Sequence, residues 1–66
     1  MGTTATGAEL LAAAEVVGRY RRRVADLAIP HLGDERDDLV SAIHEAERAL
    51  RTAERALQRA EKVASA

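Results

Sequence analysis

Glu47-Arg-Ala-Leu-Arg-Thr-Ala53 is followed at once by Glu54-Arg-Ala-Leu-Gln-Arg-Ala60, and a fading third copy starts at Glu61. A seven-residue repeat that holds Leu and Ala on fixed rows has the period of a long helix laid against other helices. It sets the fold class as all-α. A second constraint comes from Pro30, which lacks an N–H and disfavours helical geometry at Ile29. The spacing therefore predicts two helices joined by a short loop, Pro30-His31-Leu32-Gly33, and short loops join antiparallel neighbours.

The first helix is expected over about 7–29. Thr6 followed by Glu9 has capping-box spacing, and residues 1–6 read as a disordered leader. Met1-Gly2-Thr3-Thr4-Ala5-Thr6 also fits the loose N-myristoylation template, which is set aside in favour of a Gly/Thr leader. The second helix is expected over about 34–64, with Asp34 as its N-cap. Glu35, Asp37 and Asp38 then sit in the first turn, where the helix dipole favours negative charge.

On the first helix Leu10, Val17, Tyr20, Val24 and Leu27 alternate by three and four and form the expected hairpin core, with Ala13 on the same stripe. On the second helix the matching core residues are Leu39, Ile43, Leu50 and Leu57, flanked by Ala46, Ala53 and Ala60. Folding at the loop pairs residues whose numbers add to about 66, so Tyr20 is expected against Ala46 and Val17 against Leu50. Arg21 then falls near Glu47, where a surface ion pair is expected. The longer second helix is expected to overhang at its C-terminal end.

Each helix carries a further apolar stripe that a simple hairpin does not need. Leu11, Ala14, Gly18 and Ala25 form one on the first helix, with Ala28 in line. Ala42, Ala49, Ala56 and Val63 form the other on the second. Gly18 inside a helix costs about 1 kcal/mol relative to Ala, so a compensating close contact is expected there. These eight residues are read as a partner interface. The architecture expected is an antiparallel two-helix hairpin with coiled-coil-like, Ala-rich packing, dimerising into a four-helix bundle.

Composition supports that expectation. The apolar fraction is 47%, but fifteen of the 66 residues are alanine, one is tyrosine, and Phe and Trp are absent. Alanine buries little area, whereas ordering a chain costs roughly 1.5 kcal/mol per residue. A lone hairpin of this make-up balances near zero, so burial against a second copy or a protein partner is expected. With no cysteine there is no disulfide framework. A long apolar run and a signal-peptide pattern are both lacking, which leaves cytoplasmic residence as the default and predicts no membrane partner. Nine Arg against one Lys, with abundant Ala, matches the coding bias of GC-rich bacteria.

Catalytic constellations are not visible. Ser41 and His44 share a helical spacing but have no third group to orient them and no oxyanion donors. His44 and Glu47 have the i, i+3 spacing of a bundle metal ligand pair, yet the inward rows are Leu, Ile and Ala. Neither a catalytic residue, a cofactor, a metal nor a small-molecule ligand is expected. His31 in the loop is expected to contact backbone carbonyls at the end of the first helix. Arg19, Arg22 and Arg23, with Arg21 between them, could contact phosphate, but the net charge of −1 argues against a nucleic-acid partner. The function expected is a small protein–protein interaction or assembly module. A nucleic-acid-associated regulator and a regulatory subunit of an enzyme are the alternatives.

Overall fold

The computed structural model describes residues 2–66, with side chains from Ala5 onward. Met1, and with it part of the amino-terminal lipidation template, lies outside the described residues. Two long helices, α1 (Gly2–Asp26) and α2 (Asp37–Ser65), pack antiparallel as a helical hairpin, with a 3₁₀ turn (Ile29–His31) between them. The rod measures 53 × 13 × 10 Å, and no strand occurs among the described residues.

The connection is longer than the four residues expected from Pro30 alone. The end of α1 tightens before the proline: the Leu27 and Ala28 N–H groups donate to Val24 O and Ala25 O at 3.1 and 3.2 Å. Pro30 then occupies the first turn of the 3₁₀ segment, where a missing N–H does no harm. Gly33 follows at φ +90, a conformation that an L side chain resists. Asp34 does not cap α2 as expected. Its Oδ1 accepts the Arg36 N–H at 2.8 Å and its Oδ2 meets His31 Nδ1 at 3.2 Å. That local turn uses up the carboxylate and moves the N-cap two residues on, to Arg36, without a side-chain cap bond. His31 thus engages Asp34 through its ring rather than carbonyls at the end of α1.

At its other end α1 starts at Gly2 rather than Gly7. Gly7 is buried against the last turn of α2, where an added Cβ would lie 3.1 Å from Ser65 Oγ. The long second helix thus supports the N-terminal turns of α1 and has no C-terminal overhang there. The extra length lies at the loop end, where the first turns of α2 run alongside the 3₁₀ segment.

The register differs accordingly. Gly18 faces Glu54 and Gly7 faces Ser65, so facing positions add to 72 rather than to about 66. Tyr20 therefore does not face Ala46, nor Val17 Leu50.

The α1 face that points inward is also not the one expected. Ala14 and Ala28 are 3% and 2% exposed, and Gly18 is buried with them. Tyr20 and Leu27, assigned to the core from sequence, are 58% and 61% exposed. Gly7, Ala14, Arg21 and Ala28 recur every seven residues and form the centre of the seam. Small residues there allow close backbone approach, and that approach offsets what larger side chains would have buried. Leu10, Val17 and Val24 sit half-buried at the margin of the seam, as do Leu39, Ile43, Leu50 and Leu57 on α2.

Candidate functional site

The seam has two flanks, and α1 sets their character. On one flank the Gly18 row lies against the Glu47, Glu54 and Glu61 row of α2. A Cβ on Gly18 would stand 2.7 Å from Glu54 Oε2, so the missing side chain makes room for the carboxylate. Arg21, one turn on, donates from Nε to Glu54 Oε1 at 3.0 Å and from Nη1 to Glu47 Oε2 at 3.4 Å. Arg51 Nη2 donates to the same Glu47 oxygen at 2.9 Å, closing an i, i+4 pair on α2. Hydrogen bonding to Glu54 raises the Arg21 pKa above its ordinary value; partial burial opposes this and Glu47 adds to it. A raised value means that the charged form is favoured by folding and would be released only as pH climbs through that value. Since a guanidinium ordinarily titrates far above neutral pH, Arg21 keeps its charge at and around neutrality.

Charge is therefore sequestered on this flank, and the expected Arg21–Glu47 pair is present with Glu54 added. The partner Glu54 was legible in principle, since it repeats Glu47 seven residues later.

The opposite flank carries no charge in four successive rows. Gly18 against Glu54 fixes which sides of the two helices coincide, and antiparallel helices keep like sides together. The rows containing Leu10, Val17, Val24 and Ala13, Tyr20, Leu27 therefore lie beside those containing Leu39, Ala46, Ala53, Ala60 and Ala42, Ala49, Ala56, Val63. Leu50 and Leu57 floor the junction. Tyr20, Leu27 and the alanines at 42, 46, 49, 53 and 56 are exposed, and Val63 is 77% exposed. Tyr20, Arg23, Val24 and Leu27 border a depression of about 240 Å³ on this side. The α1 stripe read as core and the α2 stripe read as interface are thus one continuous open face.

The remaining expected interface residues take other places. Ala14 and Gly18 are buried in the seam and Ala25 is half-buried, so they cannot meet a partner. Leu11, at 48% exposed, stays partly open on the charged flank. The seven-residue spacing of Gly7, Ala14, Arg21 and Ala28 was the signal that would have identified the seam. The arginine cluster does not act as one patch. Arg21 is engaged across the seam, and the Arg23 guanidinium lies 5.9 Å from the Tyr20 ring centroid, a cation–π distance. Arg19 and Arg22 are exposed on other sides of α1, and His44 is exposed on α2.

Among the described residues no helix is long and apolar enough to cross a membrane. Compared with known protein families, curated proteins and solved structures, the chain matches none.

Proposed function

We propose that the protein is a small, non-catalytic interaction module that acts by burying one face of its helical hairpin against another protein surface. One observation carries the reading: among the described residues no side chain larger than alanine is buried, while one side of the rod presents four uncharged rows. Fully burying a Leu or Val side chain stabilises by about 1.5–3 kcal/mol, and here that gain is left largely unrealised in the single chain. Contiguous exposed apolar surface of this kind marks an association site. Tyr20, the only aromatic residue, stands on this face, as interface anchors do.

Circular dichroism melts across a hundredfold range of protein concentration test the proposal. A midpoint that rises with concentration, or a chain that folds only when a partner is added, is the expected result. A cooperative, concentration-independent melt with no added partner would remove it.

A further inference from the structure

We infer that the open face is covered by a second copy of this chain, related by a two-fold axis parallel to the helices. The inference rests on the interaction-module reading and specifies its partner. Its first ground is area. A compact 7.1 kDa monomer exposes about 4,100 Å², whereas this hairpin exposes 4973 Å². The excess of about 900 Å², which belongs to the elongated rod as a whole, is enough to supply the ~800 Å² that each partner contributes to a standard stable interface.

The second ground is charge. A partner for these four rows must itself present a long surface free of charge, because an unpaired charge buried there has nothing to compensate it. The four rows of the chain's own open face meet that requirement; Arg23, whose guanidinium lies over the Tyr20 ring, borders the face, and the other charged residues of the two helices fall on the opposite flank and the outer surface.

The third ground is shape. The α1 half of the face is a ridge, made by Val17, Tyr20, Val24 and Leu27. The α2 half is a trough, floored with Ala46, Ala49, Ala53 and Ala56. A two-fold interface must be complementary to itself. An axis parallel to the helices lays each ridge in the other copy's trough, antiparallel, and brings Tyr20 opposite Ala53 of the second copy. It also places both loops at the same end of a four-helix bundle. The alternative axis, perpendicular to the helices, sets ridge on ridge and trough on trough. Helix separation follows side-chain size at the contact, so those two stacks would demand different spacings from a hairpin that has only one.

The native chain lacks cysteine, so Glu35→Cys, exposed in the connection, takes a single nitroxide label. Sedimentation, circular dichroism and the electron–electron distance are then read on the same labelled full-length sample. The expected result is a helical dimer with the labels within roughly 30 Å, given helix spacings of 8–10 Å. A dimer with the labels near the 53 Å length of the rod overturns the axis, although face burial stands. A monomer that is poorly folded alone, or an assembly larger than a dimer, overturns the two-copy inference and leaves a face in need of a different cover. A well-folded, cooperative monomer overturns both this inference and the reading beneath it.

Discussion

On one flank of the seam Gly18 lets Glu54 reach Arg21, and the contact between helices is complete. On the other, Tyr20 stands beside Ala53 and Leu27 beside Ala46, both largely exposed. Both flanks use the same two helices and the same seven-residue spacing. What differs is the size of the side chains next to the seam. Where they are small, the backbones approach and polar groups bridge the edge. Where they are large, they are pushed outward and must be buried by something else. On the function proposed above, a hairpin stitched on one side and open on the other is half of a larger core, and its stability depends on what covers the open side.

The largest effect expected is on the open flank. Ala53→Arg places a charge at the middle of the trough. An uncompensated buried charge costs about 3–5 kcal/mol, so self-association measured by sedimentation should weaken at least about 100-fold. Thr52→Arg puts the same charge one residue away on the outer surface and should leave association unchanged. Equal loss from both variants would break the distinction between the flanks.

Truncation of Leu50 comes next. It lies at the junction of seam and open face, so Leu50→Ala should destabilise by about 2–5 kcal/mol in denaturant melts at dimer concentrations. Leu11→Ala, on the charged flank and already half exposed, should cost less than about 1 kcal/mol. A reversed order would mean that the two flanks have been assigned the wrong way round.

Gly18 sharpens the comparison from the closed side. Gly18→Leu should cost about 1–3 kcal/mol by overpacking the seam. Gly18→Ala gains about 1 kcal/mol of helix propensity but crowds the mobile end of Glu54, and should fall within about 1 kcal/mol of the parent in thermal melts. The smallest effect belongs to the ion pairs. Glu47→Gln with Glu54→Gln should lower the melting midpoint slightly at low salt, and the difference should fade as salt is added.

Much of the architecture was legible. Pro30 and the heptads specify two antiparallel helices, and the Ile43, Leu50, Leu57 row does border the seam. The Arg21–Glu47 pair followed from simple proximity along the helices. The choice of inward face on α1 did not follow, because hydrophobicity ranks Val17, Tyr20 and Leu27 above Gly18 and Ala28. Close approach of two backbones is a property of the pair of helices, and no single-helix pattern displays it. The connection departs from the sequence expectation for a related reason. Pro30 reads as a stop, yet the chain relaxes into 3₁₀ geometry before it, and Asp34 is held by its own turn rather than capping α2. The loop end thus gained residues, and the register moved with it.

The Glu47, Glu54, Glu61 row at the edge of the seam leaves the alignment of the two helices open by one repeat. Arg21 rests between the first two of these glutamates. A slide of α2 by one repeat would set it between the second and third, with nearly the same chemistry, and Gly18 would find Glu61 where it now finds Glu54. Side-chain contacts along the seam therefore work like evenly spaced notches: they define a step size but not a starting point. The starting point is supplied by the covalent length of the connection between Asp26 and Asp37, held by Pro30, the left-handed Gly33 and the Asp34 turn. Those few loop residues set the alignment of a rod about four times longer than it is wide.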